Sequence, residues 1–187
     1  MNKGKLIVLS GPSGVGKTTI CKSILNNYSD IYFSISATSR PKRQNEKDGR
    51  EYIFLSKKEF REWIKKELFI EYAVVHGNLY GTPKKPLEEN LSKGYHILLD
   101  VDIQGAKNLM QLYPSGIYFF IIPPDIVELE KRLLSRKTDK DEAIRNRLAK
   151  ALEELKYRDD FRYVIENRDL EETVKKVISI IKEETSK

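Results

Sequence analysis

The chain has 187 residues, 40% hydrophobic and 33% charged, with a formal net charge of +6. That length and composition fit one α/β domain with a full apolar core, held without disulfide or metal. A single cysteine, Cys21, excludes an internal disulfide, and with His76 and His96 it gives no structural-zinc spacing. No apolar run approaches the ~20 residues of a membrane-spanning helix, and the first strand pattern starts without a signal-peptide stretch. The expectation is a cytoplasmic protein that avoids the membrane. The positive charge points to an anionic partner, nucleotide or nucleic acid, or simply to a lysine-rich solvated surface; composition does not choose among them.

The first predicted element is a strand over Leu6, Ile7, Val8, Leu9 and Ser10, an unbroken apolar run of the kind found inside a parallel sheet covered on both faces. A helix is predicted from Thr18 to Asn26. Residues from about 33 to 83 read differently: rich in Tyr, Phe, Ser and Thr, with alternation in Glu51–Leu55 and Glu71–Val75. This predicts a smaller, partly antiparallel insertion between the first and second core strands. Core strands resume at His96–Asp102 and Ile117–Ile122. Ile126, Leu129 and Leu133 then mark a helix, and Ile144, Leu148, Ala151, Leu152 and Leu155 a longer one, with Asp139 and Glu142 spaced as a capping box. Residues 125–155 therefore read as a second insertion, rich in arginine. A short strand over Tyr163, Val164 and Ile165 and an amphipathic helix carrying Val174, Val177, Ile178 and Ile181 complete the pattern. Strands alternating with helices imply a parallel sheet built from right-handed crossovers.

Gly11-Pro12-Ser13-Gly14-Val15-Gly16-Lys17-Thr18 matches the G-x-x-x-x-G-K-[ST] phosphate loop at every fixed position. Glycines let successive backbone N–H groups turn inward around phosphate oxygens, and the following helix directs its positive end at them. Lys17 can reach the β- and γ-phosphates, and the Thr18 hydroxyl can ligate Mg²⁺. Asp100 closes an apolar strand at the carboxyl edge of the expected sheet, where ligands bind in such folds, and can hold Mg²⁺ through water. The loop points to ATP or GTP and is silent about a second substrate.

Arg40 and Arg43, with Tyr52 and Tyr80, offer two guanidinium forks and two phenol hydroxyls that suit a phosphate monoester. The same residues equally describe a solvated basic turn and rim aromatics. The wider pattern resolves this by resemblance. Ser36-Ala37-Thr38-Ser39-Arg40-Pro41-Lys42-Arg43, then Glu46, Asp48-Gly49, Tyr52 and Phe54, resembles the guanylate kinase signature. Phe69-Ile70-Glu71-Tyr72, Gly77-Asn78-Leu79-Tyr80-Gly81-Thr82 and Asp100-Val101-Asp102-Ile103-Gln104-Gly105 resemble that family in order and spacing. The departures, Pro41 directly after Arg40 and Leu79 before Tyr80, are minor.

The resemblance covers essentially the whole chain. It implies an α/β P-loop kinase fold: a central parallel sheet flanked by helices, a mixed α/β GMP-binding insertion and a helical lid. The single domain would divide into a core (about 1–32, 84–124 and 156–187), a GMP-binding region (about 33–83) and a lid (about 125–155). The implied reaction is phosphorylation of GMP, and of dGMP, by ATP with Mg²⁺. In this reading Glu71 accepts from guanine N1–H and the exocyclic amine, a task suited to an acceptor-only carboxylate. Ser36 and Thr82 contact the base edge, and Asp102 assists near the amine. Arg40, Arg43, Tyr52 and Tyr80 serve the acceptor phosphate, and Glu46 is a further GMP-binding residue; Gly11 to Thr18, with Asn167 near the adenine, serve ATP. Lys17, Arg40, Arg43, Arg132, Arg136 and Arg147 are the implied catalytic cations, and Thr18 and Asp100 the metal site. The expected partners are small molecules alone, with no nucleic acid, in a monomer or homodimer. A guanylate-kinase-like peptide-binding scaffold is the alternative; the intact Lys17, Thr18 and lid arginines speak against it.

Overall fold

Strand β1 (Leu6–Ser10) is buried along its whole length because each face of its sheet carries a layer of helices. Leu6 and Val8 pack with Leu87, Leu91, Ala106 and Leu109, whereas Ile7 and Leu9 pack with Ile20, Ile24, Val177 and Ile181. Successive strand side chains point to opposite faces, so burial of both faces is what makes the run continuously apolar. The first layer comes from α3 (Lys84–Ser92) and α4 (Ile103–Leu112), the second from α1 (Lys17–Asn27) and α7 (Leu170–Thr185). The computed structural model describes residues 4–75, 77–134 and 141–186.

The central sheet has five strands in the order β2-β7-β1-β8-β9, where β2 is Ile31–Phe33, β7 His96–Asp100, β8 Ile117–Ile122 and β9 Tyr163–Glu166. Every pairing in it is parallel. The chain is thus α/β, as its alternating pattern predicts. Two boundaries differ from that reading. The edge strand β2 precedes the insertion, so the insertion lies between the second and third core strands; only Ile31 of its three residues is buried, which leaves little apolar signal. The third strand stops at Asp100 because Asp102 caps α4, its Oδ1 accepting from the Gly105 N–H at 2.9 Å.

Residues 37–83 build a second sheet in the order β4-β3-β6-β5, from β3 (Ala37–Thr38), β4 (Ile53–Phe54), β5 (Phe69–Val75) and β6 (Asn78–Pro83). It is mixed: β3 pairs parallel with β4, while β6 runs antiparallel to both β3 and β5. Helix α2 (Lys57–Lys65) starts at a Ser56–Glu59 capping box and packs Phe60 on Phe69, ring centroids 4.4 Å apart. Helices α5 (Ile126–Leu134) and α6 (Asp141–Leu155) lie between β8 and β9 in the chain. Arg136 and Asp139 of the expected lid and capping box, with His76, lie outside the described residues.

Candidate active site

The loop between β1 and α1 is shaped by glycines that no other residue replaces cheaply. Gly11 has φ of 131°, and a Cβ there would lie 2.3 Å from the Ile121 carbonyl oxygen. Gly16, φ 97°, stands where a Cβ would meet Asn167 Nδ2 at 2.6 Å. Asn167 is buried beneath the loop and donates from Nδ2 to the Val15 carbonyl at 2.7 Å, so it braces the loop from behind. Helix α1 opens at Gly16 without a side-chain cap, which leaves its first N–H groups and positive end available to an anion. Lys17 Nζ donates to the carbonyls of Gly11 (2.7 Å) and Pro12 (3.2 Å), folding the ammonium over the loop.

Thr18 Oγ1 donates to Asp100 Oδ2 at 2.7 Å, which joins the loop to the carboxyl end of β7. From α6, Arg147 Nη2 donates to Ser13 Oγ at 2.8 Å, and Glu154 Oε2 accepts from the Ser13 N–H at 3.3 Å. Arg132 on α5 donates to Glu128 Oε1 (2.8 Å) and to the Asn167 carbonyl (3.0 Å) and does not line the cavity.

The opposite wall belongs to the mixed sheet and the turn after β3. Arg40 is bidentate on Glu46, at 2.8 and 3.0 Å, and Glu46 also accepts from the Arg43 N–H at 2.8 Å. Burial works against ionisation of Glu46, but these donors outweigh it and hold the carboxyl below its usual range. The Arg40 guanidinium lies 5.4 Å from the Tyr52 ring centroid, and Tyr52 meets Tyr80 edge-on at 5.9 Å. Glu71 is buried. Thr82 Oγ1 donates to its Oε1 at 2.6 Å, and a Cβ on Gly105 would lie 2.8 Å from its Oε2. Burial is the main reason the Glu71 carboxyl is pushed up to about 7; the Thr82 hydroxyl opposes this, and the Asp102 charge adds to it.

Both walls face one cavity of about 240 Å³. Gly11, Ser13, Gly14, Gly16, Lys17, Thr18, Asp100 and Arg147 line it from the phosphate-loop side. Ser36, Arg40, Arg43, Tyr52, Glu71, Tyr80 and Asp102 line it from the other. Val15, Thr82 and Asn167 stand behind the lining, while Glu46 reaches the cavity through Arg40. Sequence reasoning missed Ala73, Val75, Gly81, Val101 and Glu154, which also line the cavity. Only Glu154 had a signal available: it falls about two helical turns after Arg147, on the same face. A second cavity, about 620 Å³, opens between the end of β8 and α6 and is lined by none of these residues.

The comparisons agree in one direction. A family model described as guanylate kinase matches residues 3–184. A guanylate kinase of Prochlorococcus marinus (strain MIT 9312) is 43% identical over 96% of this chain and 98% of its own length. One from Carboxydothermus hydrogenoformans is 45% identical, covering 100% and 92%. The crystal structure of guanylate kinase from Anaplasma phagocytophilum superposes with a TM-score of 0.84 at 34% identity, covering 100% of this chain and 89% of that one. With a phosphate loop on one wall of its cleft and a buried carboxylate on the other, this chain belongs to the guanylate kinase family.

Proposed function

We propose that this chain is a nucleoside monophosphate kinase that transfers the γ-phosphoryl group of ATP to GMP, and to dGMP, yielding ADP and the diphosphate. The observation that carries the reading is a single cavity with Lys17 and the phosphate loop on one side and the buried Glu71 on the other. The loop N–H groups and Lys17 hold the β- and γ-phosphates of ATP. Arg40, preset by Glu46, and Arg43 grip the acceptor phosphate, with the Tyr52 and Tyr80 hydroxyls beside them. Glu71 in its ionised form accepts from guanine N1–H and the exocyclic amine, while Ser36, Thr82 and Asp102 set the base edge.

The acceptor is already a phosphate anion with a second pKa near ~6, so the reaction needs no general base. The barrier falls through alignment and charge neutralisation, in which Lys17, Arg40, Arg43 and the lid arginines Arg132, Arg136 and Arg147 share. Arg147 is already at the phosphate loop through Ser13; Arg132 reaches it by leaving Glu128 as the lid closes. Residues 33–83 and 125–155 are the proposed moving parts around the core, and closure excludes water that would hydrolyse ATP. Thr18 and Asp100 present hard oxygens 2.7 Å apart beside the loop, a set that suits Mg²⁺, which takes few protein ligands and keeps its waters. Bound there with ATP, Mg²⁺ would offset charge on the β- and γ-phosphates. Among the described residues no helix is long and apolar enough to cross a membrane, and the proposed partners are ATP and GMP alone.

The test is a coupled assay of ADP release with GMP, AMP, UMP and TMP as alternative acceptors. Turnover with GMP at least about tenfold above the others supports the reading. Equal turnover with all four, or none with GMP, refutes it.

A further inference from the structure

Two side chains of α6 converge on one residue of the phosphate loop. Arg147 donates to the Ser13 hydroxyl, and Glu154, about two turns further on, accepts from the Ser13 N–H. That N–H belongs to the row of main-chain donors that such a loop turns toward phosphate oxygens. A carboxylate, like a phosphate, is anionic and acceptor-only. The placement is costly for a helix-surface glutamate, whose ordinary position is in water. Only 18% of the Glu154 side chain is exposed, and Lys150 Nζ stands 3.8 Å from its other oxygen. Burial raises the Glu154 carboxyl above its usual range, Lys150, Lys17 and the Ser13 N–H pull against this, and Asp102 adds to it. Glu154 lines the same cavity as Lys17 and Asp102.

We propose that Glu154 is an anionic placeholder in the phosphate loop. In the nucleotide-free chain its carboxylate stands in for a phosphate oxygen, and the donor's polyphosphate has to expel it. The inference rests on the proposed binding of ATP at this loop. Displacement has a mechanical consequence, because Arg147 and Glu154 share one helix: freeing Glu154 removes one of the two ties between α6 and Ser13, and leaves the other on Arg147, which phosphate can then engage. The placeholder thus lowers the resting affinity for polyphosphate and links its arrival to movement of α6.

Isothermal titration calorimetry of the full chain with ATP, inorganic tripolyphosphate and adenosine tests this, comparing wild type with Glu154→Gln, Glu154→Asp and Lys17→Ala. Gln keeps the shape and loses the charge; Asp keeps the charge but falls one methylene short of Ser13. Both should bind ATP and tripolyphosphate about tenfold more tightly than wild type, with adenosine unchanged. No tightening with either variant, while Lys17→Ala loses both ligands, overturns the placeholder and leaves ATP binding at the loop intact. Tightening with Gln alone indicates repulsion at a distance and also overturns it. A Gln or Asp chain unfolded by circular dichroism contradicts it too, since a displaceable side chain cannot hold the fold. If wild type binds neither ATP nor tripolyphosphate, the proposed ATP site itself fails, and the placeholder with it.

Discussion

On the core side of the cleft Lys17, Thr18, Asp100 and Arg147 stand around a row of main-chain N–H groups, shaped by glycines at φ 131°, 92° and 97° and backed by the buried Asn167. On the mixed-sheet side they are side chains that already pair with one another, Arg40 with Glu46 and Glu71 with Thr82. The first wall is anchored to a sheet covered by helices on both faces; the second rests on strands of two to seven residues and a small core around Phe60 and Phe69. A backbone cradle suits any polyphosphate and carries no base preference. Preset side chains select one acceptor, and each can be removed without rebuilding the chain around it.

The comparison breaks hardest at Lys17, whose ammonium folds over the backbone wall. Lys17→Ala should lower kcat by about 10³-fold while circular dichroism stays that of wild type. Near wild-type GMP-dependent ADP release from a folded variant would contradict its role. Next in size is the backbone itself. In Gly11→Ala the new Cβ meets the Ile121 carbonyl at a φ that L-residues avoid, so the variant should lose about 3 kcal/mol or more of stability. Gly49, on the other wall, has φ 73° and open space, with no atom within 4 Å of where a Cβ would stand. Gly49→Ala should therefore cost only about 1 kcal/mol. Equal melting temperatures for the two variants would erase the distinction between the walls.

A smaller effect comes from pH. Burial raises the Glu71 carboxyl to about 7 in the free chain, whereas guanine needs the ionised form. Below that pH the proton must leave before GMP binds, so kcat/KM for GMP should fall about tenfold per pH unit. Above it the value should level off. The KM for ATP should stay flat, and Glu71→Gln should remove the part of the slope that belongs to this carboxyl. An unchanged slope in the variant would assign the titration to another group.

The core wall was the more legible of the two in the sequence. Leu6–Ser10, the glycine-rich loop and the strand closed by Asp100 announce themselves through short-range spacing, because strand, loop and helix follow one another in the chain. The other wall assembles Ser36, Arg40, Glu71 and Tyr80 from separate strands, and resemblance supplied what spacing could not. The Thr82 hydroxyl on Glu71 depends on strand register, and a one-residue slip between β5 and β6 would point it elsewhere. The side chain of Asn167, which the resemblance places near the adenine, lies under the phosphate loop, a contact across 152 positions that no local pattern announces. Glu154 was faint for a related reason: in the chain it is one acidic residue in a charged helix, about two turns after Arg147, and docking of α6 across the loop is what brings it to the Ser13 N–H.

The most direct measurement of the central claim is a paired determination of kcat/KM for GMP and inosine monophosphate, with wild type and Glu71→Gln. In the variant an NH₂ replaces one acceptor oxygen, so the side chain satisfies one guanine donor and opposes the other. The loss with GMP should be roughly 2–4 kcal/mol, or about 30- to 1000-fold. Inosine monophosphate keeps N1–H but lacks the exocyclic amine, so wild type should already use it poorly and the variant should lose less with it. Equal losses with the two substrates would mean that Glu71 supports the pocket without reading the base, and would contradict the assignment of guanine recognition to this wall.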